Sequence, residues 1–200
     1  MSQQLWFAGV GSRDTPPDIL ALMSDLSYWL GRCGWGLSSG GAAGADDAFL
    51  QGMLKCPDCE PSRRLRIYLI GRKFESYRPD PIRGFHHSPS YTETWEQAKT
   101  IAEEVRGSFH GLGDAGIELH TRNVYQVLGH TLKDPVKQTV CWAELVGKQG
   151  RVKGGTNTAV GVSLKYDIPV MNLYLDADRQ RAERFITAMQ ERFADTFPYG

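Results

Sequence analysis

Apolar positions along the chain switch repeatedly between two periods. Residues 5–10, LWFAGV, form a short run rich in aromatic and apolar side chains that stops at GSRDTPP; this predicts a buried strand followed by a loop. Ile19, Leu22, Met23, Leu26, Trp29 and Leu30 then recur at helical intervals. They predict a helix over 17–30, with Pro17 in its first turn and Gly31 and Gly34 ending it. By the same reading 36–38 is a second strand, 46–54 a second helix and 65–70 a third strand. Trp95, Ala98, Ile101, Ala102 and Val105 predict a helix over 94–105. Glycines at 107, 111, 113 and 116 break that pattern. Thr121 or Asn123 then caps a helix through Val124, Val127 and Leu128, with Arg122 and Asn123 at its opening. Strands over 138–142 and 168–173 flank a helix ending near 166, and an amphipathic helix over 179–193 closes the chain. Strands alternating with helices predict one α/β domain over 1–200, a doubly wound sheet of five or more mostly parallel strands with helices on both faces.

Residues 72–91 show no period and mix Arg72, Lys73, Arg78, Arg83, His86 and His87 with Phe74, Tyr77, Phe85 and Tyr91. A loop of this length inside a compact domain is expected to be functional or lid-like. Aromatics among cations can stack a base and hold a phosphate, in a mononucleotide as well as in a single strand; the same groups would equally serve an oligomer contact.

Two glycine-rich turns carry the candidate chemistry. In WGLSSGGAAGADDAF, 35–49, a strand passes through Ser39, Gly40, Gly41 and Gly44 into a helix beginning near Asp46. So little side chain permits a ligand to approach the backbone and the free N–H groups of the first helical turn, or lets helix and strand pack tightly. Asp46 or Asp47 caps that helix or acts as a general base. The second turn, Lys153, Gly154, Gly155, Thr156, Asn157 and Thr158, also opens a helix, and its hydroxyls and amide can donate to phosphate. At the end of the first strand Gly9 and Gly11 allow close approach, Ser12 offers a hydroxyl and Arg13 a donor fork suited to phosphate. Arg122 and Asn123 could clamp a bound anion, and Glu118 and Asp114 are upstream candidates for a carboxylate. Neither turn matches GxGxxG or a GK[ST] pattern, which disfavours dinucleotide binding and triphosphate hydrolysis.

Composition narrows the partners. Lys plus Arg equals Asp plus Glu at 23 each, so no global field draws the chain to nucleic acid or an anionic membrane. The one local bias is a net of +4 over 53–87, eight cations against four carboxylates. Nucleic acid is therefore disfavoured as a partner, although a local patch would suffice for it. Four cysteines in 200 residues are too few for a disulfide scaffold, and with no signal peptide or run of 18 apolar residues a cytoplasmic protein is expected. Cys56-Pro57-Asp58-Cys59 has the spacing of half a zinc site or a redox pair. The other cysteines are distant and His86 and His87 adjacent, so the expectation is a plain helix-ending loop, with no metal and no cofactor.

FAGVGSR at 7–13, SSGGAAGADDAF at 38–49, the pair Arg122 and Asn123, and GGTNTAVGVSLKYDIPV at 154–170 together resemble the SLOG superfamily. That Rossmann-like group includes the "lonely guy" phosphoribohydrolases, the Rossmann domain of a DNA-processing protein that loads recombinase, and many small bacterial and phage proteins. The resemblance implies a nucleotide or nucleotide-derived ligand, linear or cyclic and signalling nucleotides included, over the carboxyl ends of the strands, with its phosphate at the second turn. It also implies a homodimer, since many relatives pair. Against the hydrolase pattern PGGxGTxxE, Gly154 and Gly155 match the glycine pair and Thr158 the threonine. Lys153 replaces the proline, Asn157 the next glycine, and Gly161 stands where the catalytic glutamate would be. The resemblance thus favours binding. An N-glycosidic hydrolase of nucleoside monophosphates is the alternative; it would use Arg122 for charge and Glu118, Asp114 or Asp46 as its acid. Single-stranded DNA binding follows behind both.

Overall fold

The computed structural model describes residues 4–70, 85–87, 93–147 and 150–194. Among them, β1 (Trp6–Gly11), β2 (Gly36–Ser39), β3 (Leu65–Tyr68), β4 (Phe85–His87), β5 (Gln138–Trp142) and β6 (Val170–Asn172) form one sheet in the order β4-β3-β2-β1-β5-β6. Every neighbouring pair is parallel, with Phe7 opposite both Leu37 and Gln138. The fold is α/β and Rossmann-like, as expected. From β1 the chain builds outward to β4, then returns to the other side of β1 for β5 and β6, so the order reverses between β1 and β5.

The two faces of the sheet bury separate cores. Along β1, Trp6, Ala8 and Val10 enter one and Phe7 the other, as the two-residue repeat of a strand requires. The Phe7 face is covered by α1 (Pro17–Arg32), α2 (Ala45–Lys55) and α7 (Asp176–Phe193). Phe7 and Phe49 are both fully buried and meet edge-on with centroids 6.0 Å apart; burial of each is worth about 1.5–3 kcal/mol. The opposite face is covered by α4 (Trp95–Arg106), α5 (Asp114–Leu128) and α6 (Thr156–Lys165). A one-turn helix, α3 (Pro61–Arg64), leads into β3. No helix of the described residues is long and apolar enough to cross a membrane.

Three elements differ from expectation. β4 lies inside the stretch read as loop and pairs along β3; the remainder of 72–91 lies outside the described residues. The first helix runs through Gly31 to Arg32, because Gly31 is a contact point rather than a stop: a Cβ there would lie 2.6 Å from Cys59 Sγ. Most consequential, α5 begins at Asp114, not near Thr121, so Arg122 and Asn123 sit mid-helix and not at its opening. Gly113 is its N-cap, Asp114 favours its positive end, and Gly116 falls in the first turn, where a helical glycine is best tolerated. From Thr121 to Leu128 every residue is buried, because α5 is enclosed by the sheet, α4 and α6. A helix segment in which every residue is buried has no amphipathic period to read.

Candidate functional site

A cavity of about 420 Å³ opens at the carboxyl ends of the central strands, beside the point where strand order reverses, the usual ligand position in open α/β sheets. Its walls come from four places: the end of β1 and its following loop, the start of α2, one face of α5, and the turn before α6. Both glycine-rich turns therefore border one crevice. Arg13, Arg122 and Lys153 line it together with Asp14 and Asp46, a slight excess of positive charge.

The second turn presents backbone. Gly154 has a left-handed φ of +73°, Gly155 is helical at φ −63°, and a Cβ on either would meet nothing within 4 Å. The N–H groups of Gly154, Gly155 and Thr156 donate to no carbonyl among the described residues, as expected at the positive end of a helix. Two side chains and one backbone bond hold this turn. Asn123 Nδ2 donates to Gly155 O at 2.8 Å, Val152 N donates to Asn157 Oδ1 at 3.1 Å, and Lys153 N donates to Glu144 O at 2.8 Å. Thr158 Oγ1 is fully buried and lies 2.6 Å from His120 Nδ1. Asn157 and Thr158 thus brace the turn from inside, while Thr156 lines the cavity. Burial, helped by the charge of Arg106, pushes the His120 imidazole below its ordinary pKa, so it is neutral at pH 7.

The first turn has a different task. Arg122 is 6 % exposed, and its Nη1 lies 3.8 Å from Asp46 Oδ2 and donates to Tyr68 O at 3.3 Å. Burial pushes the Asp46 carboxyl up in pKa; the Arg122 charge and backbone groups of Ala42, Gly40 and Gly11 oppose that shift. Burial likewise pushes the Arg122 guanidinium down, against the attraction of Asp46. Arg122 Nε has no hydrogen-bond partner among the described residues although it is buried, a cost of about 1–3 kcal/mol.

Most glycines of this region serve packing. A Cβ on Gly40 would fall 1.4 Å from Arg122 Nη1, one on Gly9 2.7 Å from the Phe49 ring, and one on Gly11 2.6 Å from Ala45 Cβ. Gly44, at φ +85°, lies against the Arg13 backbone, and a Cβ on Gly41 would be 3.0 Å from Ile67. Ser39 Oγ donates to Gly9 O at 2.7 Å. Of this turn only Ala42 and Asp46 reach the cavity; Gly40 leaves the space that the Arg122 guanidinium occupies.

At the end of β1, Gly11, Ser12 and Arg13 line the cavity. Ser12 Oγ accepts from Asp14 N at 3.1 Å and Ser12 O from Thr15 Oγ1 at 2.8 Å, which pins the loop, while Arg13 is exposed at the mouth. Glu118 and Asp114 are absent from the lining, whereas His120 and Gln126, on the same helix, belong to it. Gly116, Leu119, His120, Asn123 and Gln126 form one face at helical spacing. That repeat is present in the sequence, but it is visible only when α5 is started at Asp114.

No protein-family model matches the chain, and neither does any curated protein. Among solved structures it is similar to a molybdenum cofactor carrier protein from Chlamydomonas reinhardtii, at 15% identity and a TM-score of 0.48 over 95% of this chain and 87% of that one. It is also similar to DNA processing protein A from Helicobacter pylori, described with a single-stranded DNA binding mode. That match has 15% identity and a TM-score of 0.48 over 94% of this chain and 81% of the other. At this level of similarity neither match bears on family or ligand.

Proposed function

We propose that the cavity binds a nucleotide or nucleotide-derived molecule, with a phosphate against the N–H groups of Gly154, Gly155 and Thr156. The observation that carries this reading is the open backbone at the start of α6 on the same cavity as a buried cation, Arg122, whose Nε has no partner among the described residues. A helix N-terminus and a guanidinium on one cavity favour an anion. The volume of about 420 Å³ lies within the range of small-ligand sites. Leu119 and Ala159 offer apolar contact and Gln126 an amide, a mixture suited to a base or ribose. SLOG membership, a cytoplasmic location and pairing as a homodimer belong to the same reading.

Binding is preferred to hydrolysis for a positional reason. Gly161, where the hydrolase pattern carries its glutamate, faces α4, and a Cβ there would be 3.1 Å from Val105 Cβ. Of the cavity carboxylates, Asp46 is occupied by Arg122 and backbone groups, which leaves Asp14 at the rim.

The test is to incubate the protein with pooled nucleotides and identify retained and converted species by mass spectrometry, then to measure the retained species on Gly155→Asp. The substituted side chain enters open space, so the melting temperature is expected to hold. Affinity is expected to fall roughly 10- to 100-fold, the worth of about one charge-assisted hydrogen bond. Undiminished affinity removes the turn from the site. Release of free base would make the protein a hydrolase, and retention of oligonucleotides with steep salt dependence would make it a single-strand binder.

A further inference from the structure

The Cys56-Pro57-Asp58-Cys59 segment lies away from the cavity. Asp46 lines the cavity at the start of α2, and the 11 residues of α2 carry the chain about 16 Å back to the amino ends of the strands. There Cys59 N donates to Cys56 O at 3.2 Å, closing a four-residue turn with Pro57 at its second position. Such a turn holds its terminal Cα atoms within about 7 Å, overlapping the 4.4–6.8 Å span of a disulfide. The two sulfurs also converge on one point. A Cβ on Gly31 of α1 would lie 2.6 Å from Cys59 Sγ and 3.2 Å from Cys56 Sγ, so the bare backbone of Gly31 makes the room in which both thiols sit.

We propose that Cys56 and Cys59 are a reversible dithiol–disulfide pair that exchanges with low-molecular-weight disulfides. Their surroundings support a thiolate. Cys56 is lowered to about 7, chiefly by the adjacent Cys59 thiol and then by the backbone N–H of Asp58 and the charge of Arg32, against burial and the Asp58 charge. The neighbouring Cys56 sulfur and burial push Cys59 up. Arg32 is anchored by Asp58, Nε to Oδ2 2.7 Å. Cys59 is the more accessible sulfur, and Cys56 is buried.

The exchange runs in two displacements. The Cys59 thiol gives its proton to solvent as its sulfur attacks one sulfur of RS–SR; the S–S bond breaks and the departing RS⁻ takes a proton from solvent, while Cys56 has released its own proton to solvent. The Cys56 thiolate then attacks Cys59 Sγ in the mixed disulfide, and the second RS⁻ leaves and is protonated. Two cysteine thiols and one RS–SR become one protein disulfide and two RSH. Cys33, whose Sγ lies 3.3 Å from Met189 Sδ, and Cys141, fully buried in the core, take no part. Among the described residues no group of three or more His, Cys, Asp or Glu could hold a metal ion.

The full-length protein is titrated with mixtures of reduced and oxidised glutathione, alkylated, and mapped by mass spectrometry. The expected result is loss of two of the four free thiols, a Cys56–Cys59 cross-link and full recovery on adding reduced glutathione. Cys56→Ser is expected to stop at a stable glutathione adduct on Cys59, because the resolving sulfur is missing. Four alkylatable thiols at every ratio, or a cross-link that uses Cys33, overturns the proposal. So does a Cys56→Ser protein that gathers no adduct.

Discussion

A guanidinium that is only 6 % exposed needs both a counter-charge and somewhere to lie. Asp46 provides the first and Gly40 the second. Without a Cβ at residue 40, Arg122 passes along the turn; with one, Nη1 would be 1.4 Å away, so the glycine that reads as clearance for a ligand is clearance for this arginine. The pair costs desolvation on both sides and persists because each member compensates the other. Arg122→Met therefore leaves a buried carboxylate alone and is expected to destabilise the fold by about 3–5 kcal/mol, read from urea unfolding. The double variant Asp46→Asn/Arg122→Met should recover a large part of that loss. A single-variant cost below about 1 kcal/mol, with a double equal to the sum of the two singles, would mean the ion pair is not coupled.

Among the elements, α1 and α2 pack most closely. Ser27 Oγ donates to Phe49 O at 2.6 Å, and a Cβ on Gly52 would be 2.1 Å from Ser24 O. Two terms compete for Gly52→Ala. Alanine gains about 1 kcal/mol of helix propensity over glycine, but the added methyl strikes a backbone carbonyl, which no rotamer change can move, and overpacking of this kind costs about 1–3 kcal/mol. Contact is expected to win, giving a net loss of up to about 2 kcal/mol; a raised melting temperature would mean that the helices slide apart freely. The opposite case is the turn before α6, where Gly155 meets nothing and substitution tests binding without repacking. The local amphipathic pattern made α1, α4 and α7 legible to within a few residues at their ends. It failed at α5, whose last eight residues are all buried, and at β4, whose three residues are too few to display an alternation.

In the whole molecule, the reversal of strand order between β1 and β5 puts the cavity at one end of the sheet, and the return of α2 puts the paired thiols at the other. Sites about 16 Å apart along one helix with no shared partner should act independently. Cys56→Ser/Cys59→Ser is thus expected to leave nucleotide affinity unchanged within about 0.5 kcal/mol, and Gly155→Asp to leave glutathione exchange intact. Calorimetry on both variants checks this, and a coupling above about 1 kcal/mol would show that the two ends communicate through α2. By itself the sequence determined the alternation of strands and helices, the glycine-rich turns and their cavity-facing neighbours Ser12, Arg13, Asp46, Arg122 and Thr156, because strand period, helix period and missing side chains are local properties. Only the tertiary structure decided which glycines border open cavity and which clear space for Phe49, Ala45 or Arg122. It also decided that Asn157 and Thr158 brace the second turn from within and that His120, not Glu118, lines the cavity. Those distinctions depend on what stands opposite each residue, and in a parallel sheet with crossover helices the opposing residue is tens of positions away along the chain.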